Sequence, residues 1–187
     1  SWKDKNLENI EMVYTKSCLN QTILGLLILT GLWVNIDNIF LILPEEYEAG
    51  KYVIFFIGLA NVFEMSSGVS AMIIGTSAHF RLNSIFIFAF FLFIILFNFI
   101  FIPLYGITGA AIATALSRFL YLLIRYFFLR SKFKFEPYNY KYILLILLTA
   151  ISYLSVYWLP PFENYLIDIL IRSSIVLIVF SSLTLIF

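Results

Sequence analysis

The chain has 187 residues, of which 62% are hydrophobic, 19% aromatic and 12% charged, with a mean hydropathy of +0.97 and a formal net charge of +1. A soluble domain is about half apolar and about a quarter charged, so this composition excludes a water-soluble globular fold. The near-zero balance gives no basis for a nucleic-acid or acidic partner, and the lone cysteine, Cys18, rules out an internal disulfide.

Residues 1–17 are polar, begin with Ser1 and lack the short apolar run of a cleaved signal. They are expected to be a cytoplasmic juxtamembrane segment of a longer chain. Leu7, Ile10 and Tyr14 recur at helical spacing among Lys and Glu. That pattern suits a short helix on the inner membrane surface, or a simple connector. Six apolar stretches follow, at 18–43, 51–77, 82–102, 105–129, 141–160 and 166–187, each near the roughly 20 helical residues that cross a bilayer. The turns between them are marked by Pro44-Glu45-Glu46, Ala78-His79-Phe80-Arg81, Pro103-Leu104-Tyr105-Gly106, the basic stretch 130–140, and Pro160-Pro161-Phe162-Glu163-Asn164. The expected fold is an all-α integral membrane protein of six transmembrane helices. Four lie within 18–129 and a trailing hairpin occupies 141–187.

Lys3, Lys5, Lys16, Arg81, Arg125, Arg130, Lys132, Lys134 and Lys141 fall on one side of this arrangement and only Lys51 on the other. The positive-inside rule therefore places both ends in the cytoplasm. Glu45, Glu46, Glu48 and Glu163 lie in the opposite loops, in agreement.

Polar residues inside spans are costly and mark sites. In the first span Asn20, Gly31, Asn35 and Asn38 share a face, with Asp37 beside it; helix packing and cavity lining are both open for them. The second span aligns Asn61, Glu64, Gly68, Ala71 and Gly75 on one stripe, with Glu64 near the bilayer centre. Glu64 is a candidate for ion coupling through H+ or Na+, or else a protonated group bonded to a neighbouring helix. The third span is apolar all round except for Asn98, the character of a lipid-facing or scaffold helix. In the fourth, Gly106, Ala110, Ala113 and Ser117 form a small packing stripe, while Thr114, Arg118, Tyr121 and Arg125 form a polar face about a quarter turn away. A guanidinium stays charged, so mid-span Arg118 needs water, a carboxylate or a phosphate. A buried pair with Glu64 is one such answer and an anionic substrate is another. Arg125 lies nearer the cytoplasm and has snorkelling as a further option. Asp168 and Arg172, one turn apart in the last span, suggest an exposed ion pair. With one His, one Cys, no phosphate loop and no acids at metal-ligand spacing, the sequence suggests no catalytic constellation, cofactor or metal site.

Three stretches resemble one family. Leu43-Pro44-Glu45-Glu46-Tyr47-Glu48-Ala49-Gly50 makes an outer loop, Gly75-Thr76-Ser77 closes an apolar helix, and Tyr105-Gly106-Ile107-Thr108-Gly109-Ala110-Ala111-Ile112-Ala113-Thr114-Ala115 opens the next-but-one. In order and spacing they resemble the Wzx-type flippases of bacterial polysaccharide, lipopolysaccharide and O-antigen biosynthesis, in the MATE-like MOP superfamily. The resemblance implies helices nine to fourteen of a fourteen-helix parent in the cell inner membrane, with the first lobe in the missing N-terminal part. It also implies alternating access, and a lipid-linked (polyprenyl-pyrophosphate) oligosaccharide as substrate. The residues expected in the substrate cavity are Arg118, Arg125, Tyr121, Thr114, Asn61, Asn35 and Asn38. Glu64 falls on the helix whose acids bind a coupling cation in the drug exporters. A MATE-type drug or cation antiporter shares this architecture. A membrane polysaccharide polymerase or glycosyltransferase fits less well, for want of a large outer loop or an interfacial acid cluster.

Overall fold

The computed structural model describes residues 6–160, Phe162 and 164–184. These form α1 (Leu7–Val34), α2 (Ile36–Ile42), a 3-10 helix (Glu45–Gly50), α3 (Lys51–Ser66), α4 (Ser70–Thr76), α5 (Phe80–Phe133), α6 (Tyr140–Tyr157) and α7 (Tyr165–Thr184). Four helices, α1, α5, α6 and α7, are long and apolar enough to cross a membrane, and the bent pair α3–α4 makes a fifth if taken as one span. The chain has the build of an all-α membrane protein. Its first five residues, with Lys3 and Lys5, lie outside the described part, as do Pro161 and Glu163.

The expected surface helix before residue 18 is instead the opening of α1. Asn6 caps it by accepting from the Asn9 N–H at 3.0 Å, and the helix runs on without a break at residue 17. Ile10, Tyr14 and Cys18 point inward, against Ile73 and Ile74 of α4, Leu129 of α5, and Phe135. Their helical spacing marks a face buried by protein rather than by headgroups.

α1 ends at Asn35, whose amide Nδ2 donates to the Gly31 carbonyl at 2.7 Å and to Ser173 Oγ of α7 at 3.0 Å. That side chain competes with the helix for its own carbonyls, and α2 restarts one residue on, at Ile36. The second expected span is divided as well. Ser67–Val69 separate α3 from α4, whose axes differ by 45°. The Ser67 and Gly68 N–H groups fold back onto the Glu64 and Met65 carbonyls at 3.1 and 3.0 Å. Gly68 has a φ of +52°, and a Cβ there would stand 2.8 Å from the Cys18 backbone nitrogen, so both the turn and the approach of α1 require glycine.

α5 covers both the third and fourth expected spans. Pro103 withholds an N–H from the helix, and at Gly106 the backbone leaves helical geometry altogether (φ 56°, ψ −132°). A straight helix would hold Phe86 and Phe128 about 60 Å apart at about 1.5 Å per residue, yet their rings lie 5.3 Å apart. α5 therefore folds back on itself as two arms, 80–105 and 107–133. A Cβ on Gly109 would run into the Phe101 backbone carbonyl, so the arms meet too closely for any side chain there. The first arm turns Phe88, Ile95 and Phe99 outward, and Asn98 satisfies its own amide on the Ile94 carbonyl at 2.8 Å. The second arm ends at Lys134 in left-handed geometry (φ 62°).

α3 packs chiefly between α1 and the second arm of α5, while α6 and α7 pair with each other and lean on α1. The ion pair of α7 differs from its expected place at the surface. Asp168 is 2% exposed, and its carboxylate accepts from Arg172 Nε at 2.7 Å, from Asn38 Nδ2, and from the Phe162 N–H at 3.4 Å. Arg172 also donates to the Val156 and Leu159 carbonyls at 3.3 and 3.0 Å. The i,i+4 spacing was correctly placed on one face. The packing of α2 over that face, which no single helix reveals, buries Asp168 and leaves Arg172 slightly exposed.

Candidate functional site

Inside the bundle, α3 and the second arm of α5 face each other with polar stripes. On α3, Asn61 and Glu64 are one turn apart; on α5, Arg118, Tyr121 and Arg125 occupy successive turns of one face. The pairing between them is specific. Arg118 Nη1 donates to Asn61 Oδ1 at 2.7 Å. Arg125 Nη2 lies 3.3 Å from Glu64 Oε1 and donates to Ser67 Oγ at 2.8 Å.

The two arginines differ in solvation. Arg125 is 2% exposed, lies with its guanidinium carbon 4.1 Å from the centre of the Tyr121 ring, and leaves Nε without an acceptor among the described residues. It neither snorkels nor faces the open part of the site: a carboxylate, a hydroxyl and a ring face hold it in place. Tyr121 in turn rests on Phe90 of the first arm, at 5.0 Å between centroids. Arg118 is only half-buried and is bonded to a neutral amide. It lines a cavity of about 290 Å³ with Asn61, Glu64 and the apolar wall of Ile28, Leu29, Leu32 and Met65. Gly25 and Gly58 of the same wall keep α1 and α3 close.

Of the expected cavity residues, the structure brings together Asn61, Arg118, Tyr121 and Arg125, with the candidate coupling residue Glu64 among them. The pair Arg118–Glu64 is replaced by Arg118–Asn61 and Arg125–Glu64. Thr114 is on the same helix face, but its hydroxyl donates to the Ala110 carbonyl at 2.8 Å, as threonines in apolar helices do. Asn35 and Asn38 are elsewhere, tying α1 and α2 to α7 through Ser173 and Asp168.

The sequence reading did not include the groups around the α3–α4 break. Tyr138 donates to the Ser66 carbonyl at 3.0 Å, a carbonyl freed by the break. Burial pushes its phenol above the ordinary tyrosine value, so it stays protonated as a donor. Thr22 of α1 donates to the Cys18 carbonyl at 2.6 Å, with the Ser66 hydroxyl 3.1 Å away. The available signal was Ser66-Ser67-Gly68 in mid-span, a cluster that commonly kinks helices.

One carboxylate, Glu64, thus lies near two permanent cations and pairs with only one of them, Arg125. The site has one guanidinium matched by Glu64 and a second, Arg118, matched only by a dipole. Such an arrangement can hold an anion at the cavity wall. Comparison with known protein families, curated proteins and solved structures finds no match to this chain.

Proposed function

We propose that the chain is part of a membrane transporter that flips a polyprenyl-pyrophosphate-linked oligosaccharide across a bacterial inner membrane, with Arg118 binding the pyrophosphate. The single observation that carries this reading is the uncompensated guanidinium of Arg118 beside a cavity with an apolar wall. A lipid pyrophosphate has the matching halves: anionic oxygens for the planar fork and hydrocarbon for the wall. The fold-back of α5 at Gly106 supports counting it as two spans, which brings the total to the six of the resemblance. Both termini would then be cytoplasmic.

Glu64 is the proposed coupling residue. Its side chain is 43% exposed and its partner is Arg125. A proton or Na+ taken up there would weaken the hold on the buried guanidinium, and so would link ion occupancy to the position of the second arm of α5. A drug or cation antiporter could use the same carboxylate; the guanidinium of Arg118, bonded only to the Asn61 amide at the cavity wall, favours the anion reading.

In the full-length protein, Arg118→Lys keeps the charge and loses the fork. Export of the lipid-linked oligosaccharide is expected to fall roughly tenfold, a loss of about 1.4 kcal/mol, with unchanged protein level. Undiminished export would remove Arg118 from the substrate site.

A further inference from the structure

A second cavity, of about 330 Å³, opens at the end of the bundle where α2, α6 and α7 meet. Its floor is the closed network of Asp168, Arg172 and Asn38. Arg172 is committed to Asp168 and to two backbone carbonyls. One wall is an aromatic ledge: Tyr153 and Tyr157 are one turn apart on α6, their rings 5.9 Å between centroids and 34° from parallel. The rim facing it carries Asp37, ion-paired with Lys51. Apart from Asn38, which the family resemblance implies for the substrate cavity, the transport reading uses none of these groups.

We infer that this cavity is a saccharide site, taking an uncharged sugar of the lipid-linked oligosaccharide class; the inference rests on the transport reading for the presence of such a sugar. Three features select that chemistry. The lining carries two acids and two bases, each paired with the other kind, so neither an anion nor a cation finds an unmatched charge. A phosphate-bearing lipid headgroup is disfavoured on that ground, because Arg172 and Lys51 are both occupied. A quaternary ammonium is disfavoured in the same way, although aromatic rings are present, because Asp37 and Asp168 are already neutralised. What remains is a ligand with an apolar face to lie on the tyrosine ledge and hydroxyls to bond Asp37, Lys51 and the phenols at the rim. A pyranose ring has both. The volume is at the lower end of the roughly 300–1,000 Å³ of small-ligand sites, as a short saccharide requires.

The test uses the full-length protein in lipid nanodiscs free of glycolipid and sugar detergent, with N,N′-diacetylchitobiose and lactose as probes in saturation-transfer NMR. Transfer to the sugar ring protons is expected with at least one probe. Tyr157→Ala should weaken that binding by roughly tenfold or more; this side chain is exposed, so its truncation leaves the core intact. Tyr157→Phe, which keeps the ring, should retain most of it. Arg118→Lys should leave sugar binding unchanged while impairing export. Absence of transfer from both sugars would overturn the inference. So would binding indifferent to Tyr157→Ala, or displacement of the sugar by phosphocholine or phosphoethanolamine, which would mark a headgroup site. If the cavity fails these tests while Arg118→Lys still impairs export, the saccharide site falls and the transport reading stands.

Discussion

A guanidinium cannot shed its charge, so each arginine inside the bundle has to be matched by something else in the chain. Arg125 and Arg172 are matched by carboxylates and Arg118 by an amide. The three should therefore respond differently to truncation. Removing one member of a buried ion pair costs about 3–5 kcal/mol; for Arg125→Ala the lower end is expected, because Glu64 keeps some exposure. Arg118→Ala strands no carboxylate and should cost less than about 1.5 kcal/mol, the scale of one ordinary hydrogen bond. Thermal unfolding of the purified protein compares them, and Glu64→Ala with Arg125→Ala should cost less than the two separate losses added together. Equal losses for Arg118→Ala and Arg125→Ala would contradict this ranking. That Arg118 and Arg125 share one face of their helix was legible in the sequence. Their pairing was not, since Arg118 and Arg125 lie on one face two turns apart and both could reach toward α3. The choice is made by the α3–α4 break, which brings Ser67 and Glu64 to Arg125.

At the scale of elements, the two breaks that depend on glycine differ in what surrounds them. Gly106 has nothing within 4 Å of a would-be Cβ, so Gly106→Ala pays only backbone strain, about 1–3 kcal/mol. Gly68→Ala also meets a positive φ and in addition drives a methyl against the Cys18 backbone. Gly68→Ala is expected to lower the melting temperature more than Gly106→Ala, and the opposite order would mean that α1 yields easily at the contact. The Gly106 turn was legible from Pro103 and Gly106 flanked by apolar runs. The Gly68 break was read as part of a smooth small-residue stripe, because periodicity registers which face a residue occupies and is blind to a change of axis. For the same reason the opening of α1 is legible only as an apolar face: the pattern of Leu7, Ile10 and Tyr14 does not say whether lipid or protein covers it, and protein buries Ile10 and Tyr14 while Leu7 stays exposed.

For the molecule as a whole, the bundle of α1, α3 and α5 and the hairpin of α6 and α7 are joined by polar ties at one end, from Asn35 to Ser173 and from Asn38 to Asp168. Composition made the membrane class plain, and Lys and Arg placement yields an orientation that the helices alone do not. That orientation is open to direct measurement. With Glu46→Cys and Lys132→Cys introduced singly into a Cys18→Ser background, a membrane-impermeant maleimide added to intact cells is expected to modify position 46 and spare position 132. Both side chains are exposed in the fold, so labelling reports sidedness rather than burial. The reverse pattern would invert the topology.

The close approach of Gly68 to Cys18 has one more consequence. The chain's single thiol lies fully buried beneath the bend between α3 and α4, so its reactivity depends on that bend. While the bend keeps its 45° angle, the sulfur is sealed and chemically silent. A movement of α4 away from α1 would unseal it, and the rate at which that sulfur reacts would time that movement without any foreign label.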